Sequence, residues 1–382
     1  MMSSERVAAI VGVAESDLGE TPGKTVLQLQ AQAATAALFD AGFEKGDVDA
    51  LFTAGNWAWA PNLMLAEYLQ IQPKYTDGTN IGGSSFEAHL GHAVAGIRAG
   101  LFDVALITYG STQRSDRLRN KIPPYVTLTE QYERSFGLPM PVGAYALAAM
   151  RHMYQYGTTS EQLAEIAVAT RKWAMMNEKA MMRQPIEIED VLSSRLIAEP
   201  LHLLDCCLVT DGGGAVVVAS PTAAKRARKT PVWVLGHGET HTHNTISNMP
   251  DLTVTGARES GKRAFEMAGV RHSEIDVVEI YDSFTITVLL TLEALGFCQP
   301  GEGGAFVSRQ RTAPGGDFPM NTNGGGLSYC HPGMYGIFLL IEATRQLRGE
   351  CGERQVKNAR LALVNGTGGV LSSTATAILG RD

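Results

Sequence analysis

The sequence has few cysteines for its length. Five Cys occur among 382 residues, and no two of them have the C-x-x-C spacing. An odd number of thiols without paired spacing argues against a disulfide framework and against a structural zinc site. We therefore expect a reducing compartment, a protein without a bound metal, and thiols that are free.

Basic residues and long apolar runs are also scarce. The net charge is −7, whereas a partner such as nucleic acid or an anionic membrane requires a dense basic face. No apolar run approaches the roughly 18 residues that a membrane span needs, and residues 1–5 show no signal-peptide pattern. We therefore expect a cytoplasmic protein that binds neither nucleic acid nor membrane. Hydrophobic residues make up 45% of the chain, which is enough for a large core.

The sequence contains the same pattern of strand, helix and strand twice. The first copy has apolar strands at 7–13 and 47–52 around a helix at 26–41, and the second has strands at 232–235 and 274–280 around a helix at 256–268. Each helix is followed by a glycine and then, seven residues later, by an aspartate: Gly42 with Asp49, and Gly269 with Asp276. Such a repeat predicts two related α/β halves. We place them at residues 1–229 and 230–382, with residues 111–200 as an inserted loop region in the first half.

A glycine-rich turn precedes a further helix in each half. The turns are residues 82–85, before a helix that runs through 99, and residues 321–328, before a helix that runs through 347. Backbone N–H groups at such turns, together with the helix dipole, favour a negatively charged ligand atom. The matched pair predicts two turns that face one active site, while each turn by itself is equally well read as a tight connection.

Several motifs occur in an order that resembles the thiolase superfamily. They are Asp211-Gly-Gly-Gly-Ala215, Glu279-Ile-Tyr-Asp-Ser-Phe284, Asn321-Thr-Asn-Gly-Gly-Gly326, His331-Pro-Gly333 and Gly366-Thr-Gly-Gly369. The resemblance covers almost the whole chain and is strongest to the sterol-carrier-protein-thiolase branch. It implies a thiolase-like duplicated five-layer αβαβα fold with an inserted loop domain, usually in a homodimer.

The residues at the thiolase motifs depart from the thiolase pattern. Thiolases are acylated on a Cys at a helix N-terminus, but the matching turn here, residues 80–88, contains no Cys. The second Cys of the family is absent from residues 366–372, and Tyr281 replaces the Asn or His that holds a water. Only His331, which is followed by Pro332, matches the family pattern.

The chemistry that needs no covalent nucleophile is a retro-aldol cleavage. It requires a base for the hydroxyl proton of a β-hydroxyacyl thioester and hydrogen-bond donors for the thioester enolate. Some thiolase-like proteins of this branch lack the Cys, carry a Tyr-Asp-x-Phe motif, and act as side-chain aldolases with a small OB-fold partner subunit; Tyr281 matches their Tyr, while His331 stands where they have a second Tyr. We therefore predict an acyl-CoA lyase with no permanently bound cofactor and with coenzyme A as part of the substrate. The predicted catalytic residues are His331, Tyr281, Asp282 and Ser84, and the predicted substrate-binding residues are Gly83, Ser85, Gly325, Tyr335, Gly368 and Gly369.

Two other functions remain open from the sequence. The first is a thiolase with a relocated nucleophile. Cys330 is the candidate for this role, since it precedes His331 and is predicted to begin the second-half helix; alternatively, Cys330 is a small residue that packs in the core. The second is a non-catalytic acyl-CoA or lipid-binding scaffold that needs a partner. Two further groups contain residue types that bind ligands. One is a histidine motif predicted on a loop after a strand, for which metal binding is not expected, because no carboxylate or Cys partner is evident beyond Glu239; the other is a basic stretch that could contact CoA phosphates but is better explained as solvated surface. These groups are His237, His241 and His243, and Arg114, Arg117, Arg119 and Lys121.

Overall fold

A computed structural model describes residues 6–55, 57–116 and 127–381. Arg117, Arg119 and Lys121 of the basic stretch lie outside the described residues. The strands in the described part are β1 (Ala9–Glu15), β2 (Ala50–Thr53), β3 (Tyr75–Asp77), β4 (Val104–Ser111), β5 (Leu196–Ala198), β6 (Leu201–His202), β7 (Gly212–Ala219), β8 (Val232–His241), β9 (Val277–Ile280), β10 (Leu361–Gly368) and β11 (Ser373–Gly380).

The α-helices in the same part of the chain are α1 (Val26–Ala41), α2 (Pro61–Leu69), α3 (Ser85–Arg98), α4 (Leu128–Tyr132), α5 (Val142–Tyr156), α6 (Ser160–Met175), α7 (Ile188–Ser193), α8 (Pro221–Ala224), α9 (Ala257–Ala268), α10 (Thr285–Leu295), α11 (Gly303–Val307) and α12 (Gly336–Arg348). A π-helix spans Gly325–Tyr329. None of the helices in the described ranges is long and apolar enough to cross a membrane.

Nine strands are hydrogen-bonded in the order β3-β2-β4-β7-β1-β8-β11-β10-β9. On one side of the centre, β1 pairs antiparallel with β7, β7 antiparallel with β4, and β4 parallel with β2. On the other side, β8 pairs antiparallel with β11, β11 antiparallel with β10, and β10 parallel with β9. Among the described residues, the two groups of strands are paired at two positions, Ala9 with Trp233 and Ile10 with Val232. The strand topology of the first group is thus repeated in the second, which confirms the predicted duplication.

The helices form three layers around the two groups of strands. Helices α3 and α12 contact strands of both groups, whereas α1 covers the outer face of the first group and α9 that of the second, with α10 against α9. Strand residues alternate between layers: Leu106 and Leu363 belong to the two outer cores, while Ile107 and Val364 belong to the inner core around α3 and α12. Both faces of each central strand are therefore buried, and this explains the continuous apolar runs in the sequence. The arrangement is the five-layer αβαβα fold.

Helix boundaries in the repeated segments agree with the sequence. Helix α1 has the predicted bounds, begins with a capping box between Thr25 and Gln28, and ends at Gly42 in the left-handed conformation, with φ of +78°. Helix α9 ends in the same way at Gly269, where φ is +66°.

Two local predictions were wrong. The turn at residues 321–328 leads into the π-helix and not directly into an α-helix, and α12 begins only at Gly336. Cys330 is therefore extended, with φ of −163°, and does not begin a helix. Cys330 lies between the π-helix and α12, so no helix N-terminus lowers the pKa of its thiol.

The histidine motif does not lie wholly on a loop, because β8 continues through His241 and contains His237.

The segment between β4 and β7 packs on the second half of the chain. Helices α5 and α6 contact α10, and α6 also contacts the π-helix. The Arg171 guanidinium donates to Ser328 Oγ at 2.8 Å, and Trp173 Nε1 donates to the Thr312 carbonyl at 2.8 Å. The inserted segment thereby reaches the glycine-rich region of the second half. The division of the chain at residue 229 stays a prediction.

Candidate active site

A buried tyrosine and a buried histidine of the second half are joined by a hydrogen bond. Tyr281 Oη lies 2.9 Å from His331 Nε2, and the backbone N–H of Tyr335 donates to the same hydroxyl at 3.1 Å. The exposed fractions of Tyr281 and His331 are 3% and 7%. Tyr281 directly follows β9, and the main chain of His331 is held by Thr210, which exchanges two 3.1 Å hydrogen bonds with it. The main-chain positions of both residues are therefore held by neighbouring residues, and the hydrogen bond between the side chains links them.

Burial sets the protonation state of this pair. It lowers the pKa of His331 to about 4, so the imidazole is neutral at pH 7 and can accept a proton. It raises the pKa of Tyr281 well above its ordinary value, so the phenol keeps its proton. The Tyr281 hydroxyl can donate to His331 Nε2 when the neutral imidazole carries its proton on Nδ1. The phenol can pass this proton to His331 only while it takes up another.

The ring of Tyr281 lies directly over Gly83. A Cβ atom on Gly83 would lie 2.1 Å from Cε2 of Tyr281 and 2.5 Å from the carbonyl oxygen of Thr367. Both distances are far below a van der Waals contact, so a side chain at residue 83 and the present position of the ring exclude each other. The phenol thus occupies the space above the turn in which the thiolase-like sequence lacks its Cys.

The turn of residues 82–85 contacts the C-terminal glycine loop at residues 366–369, which is not the second turn of the pair predicted from the sequence, residues 321–328. A Cβ on Gly82 would lie 2.6 Å from the nitrogen of Gly369, and one on Gly368 would lie 1.9 Å from the carbonyl oxygen of Ile81. Such close approach of two main chains is available only to residues without side chains. Gly83, Gly368 and Gly369 are therefore brought together beside Tyr281.

The two predicted serines are engaged with their own turn. Ser84 Oγ lies 2.8 Å from Ser373 Oγ, which in turn donates to the carbonyl of Ile81 at 2.6 Å. Ser85 Oγ donates to the carbonyl of Gly82 at 2.7 Å. Both side chains are buried, and the recorded partners of their hydroxyls include no imidazole or carboxylate. These contacts brace the turn and supply no base that would turn either serine into a nucleophile.

Asp282 holds the second glycine-rich segment. Its carboxylate accepts the N–H of Gly326 at 2.6 Å and of Leu327 at 3.2 Å, at the start of the π-helix. A Cβ on Gly325 would lie 2.0 Å from Asp282 Oδ2, so this glycine is needed for the approach. Burial raises the pKa of Asp282 to about 7, against the opposing effect of the two N–H donors. The Tyr335 hydroxyl donates to Asn323 Oδ1 at 2.9 Å in the same segment.

Two thiols, Cys330 and Cys207, lie near the buried pair, and both have a raised pKa. Cys330 is fully buried, and burial raises the pKa of its thiol well above the ordinary value. Cys207 is only partly buried and lies close enough to Tyr281 and Asp282 to interact with both electrostatically. Burial and the Asp282 charge raise the pKa of this thiol too. Both groups are therefore neutral thiols at pH 7, which are poor nucleophiles.

One residue near the site was missed from the sequence. Glu87, in the first turn of α3, is buried, and neither of its carboxyl oxygens has a hydrogen-bond partner among the residues that the structure describes. Positions of added Cβ atoms place its carboxyl close to Gly336 and Gly366, next to the carbonyl of Gly83. Burial raises the pKa of Glu87 to about 8, so the group is largely protonated at pH 7. A Glu one turn into an amphipathic helix carries no sequence signal of burial.

Comparisons with known proteins agree with this architecture. Residues 238–381 match the family model described as thiolase C-terminal domain-like. A steroid side-chain-cleaving aldolase of Thermomonospora curvata is 34% identical, with 98% of each protein covered. An acetyl-CoA acetyltransferase of Methanothermobacter thermautotrophicus is 31% identical over 98% of this chain and 100% of its own length. The structure of the Ltp2-ChsH2(DUF35) aldolase superimposes with a TM-score of 0.91 at 32% identity, covering 99% of both chains.

Proposed function

Because this chain belongs to the thiolase superfamily, in its sterol-carrier-protein-thiolase-like branch, and has a phenol over the turn from which a thiolase nucleophile would project, we propose that it is an acyl-CoA lyase. It cleaves a β-hydroxyacyl-CoA by a retro-aldol reaction, without a covalent acyl-enzyme. The observation that carries this proposal is the position of Tyr281, whose ring covers Gly83 and whose hydroxyl bonds to His331.

Proton transfer runs through the buried pair in this mechanism. The β-hydroxyl of the substrate gives its proton to Tyr281 Oη while Tyr281 gives its own proton to His331 Nε2, 2.9 Å away. The bond between the α- and β-carbons breaks, a ketone or aldehyde forms at the β-carbon, and the electron pair becomes the thioester enolate. Return of the proton through the same pair to the α-carbon gives the shortened acyl-CoA, so no external reactant is consumed. Burial keeps the imidazole of His331 unprotonated, so Nε2 is free to accept the proton. Because burial also makes this imidazole a weak base, the transfer is uphill by itself, and it proceeds only in concert with cleavage of the carbon–carbon bond and stabilisation of the enolate.

The enolate oxygen is stabilised by the glycine turns. Gly83 and Gly369 belong to the two turns that meet beside Tyr281, and main-chain N–H groups at such turns carry partial positive charge without a reorganisation cost. Asp282, Gly325 and Tyr335 maintain the neighbouring segment, while Ser84 and Ser85 brace the first turn. This division assigns Tyr281 and His331 to the chemistry and the other predicted residues to binding and support.

The assembly is also part of the proposal. We infer a homodimer, supported by β3 at the open edge of the sheet and by α2 beside it, which exposes Leu63, Met64 and Tyr68. A small partner subunit of the OB-fold type is supported by the similar aldolase structure, in whose name Ltp2 is joined to ChsH2(DUF35). No resident cofactor is needed, because coenzyme A enters and leaves with the substrate. The cytoplasmic location stays a prediction.

The test compares lyase with thiolase chemistry by the consumption of CoA. A panel of β-hydroxyacyl-CoA and β-ketoacyl-CoA thioesters, with aliphatic, aromatic and steroid-like acyl groups, is incubated with the protein alone and with candidate partner subunits. A lyase releases acyl-CoA and a carbonyl product from the β-hydroxy compounds without added CoA, whereas a thiolase consumes one CoA per cleavage of the β-keto compounds. Treatment with iodoacetamide should leave lyase activity intact.

Variants at the buried pair sharpen this comparison. Tyr281→Phe removes the relay hydroxyl and should lower kcat by about 100-fold or more, since a positioned proton-transfer group contributes about 10²–10⁴-fold. Tyr329→Phe removes a phenol of the same size that donates to Glu15, and it serves as the matched control. A covalent acyl adduct trapped on any side chain would favour the thiolase alternative, and absence of all turnover with every partner would favour the scaffold.

A further inference from the structure

The histidine motif at the end of β8, which consists of His237, His241 and His243, does not form a metal site with other described residues. Within the described ranges, no three His, Cys, Asp or Glu side chains come together in a way that could hold a metal ion. His237 and His241 belong to β8, while His243 lies two residues beyond its end. His243 therefore needs another explanation than the one that its spacing suggests.

His243 contacts the turn of residues 368–372, which follows β10. Its Nε2 lies 2.9 Å from the carbonyl oxygen of Val370, and its Nδ1 lies 2.8 Å from Thr242 Oγ1. A carbonyl oxygen only accepts, so Nε2 must carry a hydrogen and donate. The neighbouring residue supports the same turn, because the N–H of Thr242 donates to the carbonyl of Ser372 at 2.9 Å.

A second donor comes from the inserted segment. The Tyr145 hydroxyl, on α5, donates to the carbonyl of Gly369 at 3.1 Å. The Tyr145 ring packs on Phe284, with ring centroids 4.3 Å apart, and this fixes the direction of the hydroxyl. Burial raises the pKa of Tyr145 to about 12, so the phenol keeps its proton and remains a donor at pH 7.

The turn itself has a conformation that needs support. Gly369 has a φ of +65°, and Leu371 has a φ of +62°, a region that residues with side chains rarely adopt. Such a conformation persists where the surroundings determine it. The outward carbonyls of Gly369 and Val370 are the ones held by Tyr145 and His243, while the inner side of the turn contacts the turn at Gly82.

We propose that Tyr145 and His243 are positioning residues that hold the turn of residues 368–372 in the conformation in which its inner side receives the thioester oxygen. This inference rests on the proposed function, since it assigns the support of the same site. Neither residue touches the reacting atoms. They act through the two carbonyl oxygens, and one comes from the inserted segment while the other follows β8. Removal of either donor lets the turn relax from its inward-facing conformation.

The first measurement is the cleavage rate of three variants. His243→Ala and Tyr145→Phe each delete one donor and should lower kcat by about 10- to 100-fold, because displacement of a binding group by about 1 Å costs about that much. His243→Gln can place an amide N–H near the position of Nε2 and should recover most of the activity. His241→Ala is the matched control, since this half-exposed ring lies two residues away on the same segment and should leave kcat unchanged.

The double variant distinguishes a shared role from two separate ones. Since both donors hold one turn, Tyr145→Phe combined with His243→Ala should lose little more than the worse single variant. The melting temperatures of the variants are recorded in parallel, and a loss of kcat at an unchanged melting temperature supports positioning. Wild-type kcat in His243→Ala, an equal loss in His243→Gln and His243→Ala, or multiplicative losses in the double variant would overturn the proposal.

A binding arm keeps this inference separable from the proposed function. Affinities for acetyl-CoA and for free CoA are measured by calorimetry with the wild type and with each variant. The proposal expects His243→Ala and Tyr145→Phe to weaken acetyl-CoA binding several-fold and to leave free CoA unaffected, because only the former has a thioester oxygen. If the wild type cleaves no β-hydroxyacyl-CoA, the proposed function fails while the binding arm still decides the role of the two residues. Equal weakening of both ligands would contradict the role.

Discussion

Replacement of Gly83 by alanine is the most direct test of the phenol's position. The added Cβ would lie 2.1 Å from Tyr281 Cε2 on one side and 2.5 Å from the Thr367 carbonyl on the other. Carbon atoms in contact lie about 3.5 Å apart, so one of the two neighbours must move by more than about 1 Å. Thr367 belongs to the buried strand β10, hydrogen-bonded along its length, and the ring is the part that can yield.

Displacement of the ring carries the hydroxyl away from its partner. The 2.9 Å contact between Tyr281 Oη and His331 Nε2 cannot survive a shift of about 1 Å without losing most of its strength. We expect kcat/KM for β-hydroxyacyl-CoA cleavage to fall about 100-fold or more. The overpacking should also lower the free energy of unfolding by about 1–3 kcal/mol. Steady-state cleavage assays and urea denaturation measure the two effects separately.

Gly46→Ala is the matched control for Gly83→Ala. Gly46 has open space around it, so Gly46→Ala should change neither quantity by a measurable amount. In the double variant Gly83→Ala with Tyr281→Phe, activity should be no lower than in Tyr281→Phe alone, because the hydroxyl is already lost. Full activity in Gly83→Ala would refute the assignment of Tyr281 as the relay group, whereas losses that multiply in the double variant would show that Gly83 acts on the reaction independently of the hydroxyl.

Three further predictions concern buried groups. Burial holds the pKa of Glu87 at about 8, above its unfolded value, so this group should lower the stability of the wild type as the pH rises from about 4.5 to about 8, by up to about 1.4 kcal/mol per pH unit. In Glu87→Gln the pH dependence measured by urea denaturation should be weaker than in the wild type, and an unchanged dependence would contradict the burial. The Glu15 carboxylate forms ion pairs with Arg345 and Lys179, and these two charges hold its pKa far below the usual range although the group is buried. Glu15→Gln should therefore lower the free energy of unfolding at pH 7 by about 3–5 kcal/mol. An unchanged midpoint in urea denaturation would contradict the pairing. Cys330→Ser should retain wild-type cleavage rates, since the thiol is a buried packing group; a loss above about tenfold at an unchanged melting temperature would return it to the list of catalytic candidates.

The sequence was sufficient for the parts of the fold that repeat. Helix α1 and its glycine cap were predicted to the residue, because the capping box and Gly42 are local signals. The segment between Asn321 and Gly336 was predicted as a turn and helix, but it forms a π-helix and an extended stretch. Its conformation depends on the carboxylate of Asp282, on another element, and no local pattern contains that information.

The site residues divide along the same line. Tyr281 and His331 could be found because a family resemblance points to their motifs, and the structure brings them to 2.9 Å of each other. Tyr145 and His243 could not be found in this way, because each acts on a main-chain carbonyl more than a hundred residues away. A side chain that supports a carbonyl leaves no spacing that a reader of the sequence could recognise. His243 even stood in a spacing that suggested a metal.

Covalent catalysis from residue 83 and proton transfer by Tyr281 would require the same space above the turn of residues 82–85. A side chain at residue 83 would need the space that the Tyr281 ring fills, and the ring in its present position needs the absence of a Cβ at residue 83. Residue 83 in the first half and residue 281 in the second half are therefore coupled, because a side chain can be added at residue 83 only if the ring moves. The remaining features, a neutral buried imidazole and inward-facing glycine turns, serve enolate formation whichever group starts the reaction. A chain of this family can thus exchange nucleophilic attack for proton transfer while its scaffold for the thioester stays the same.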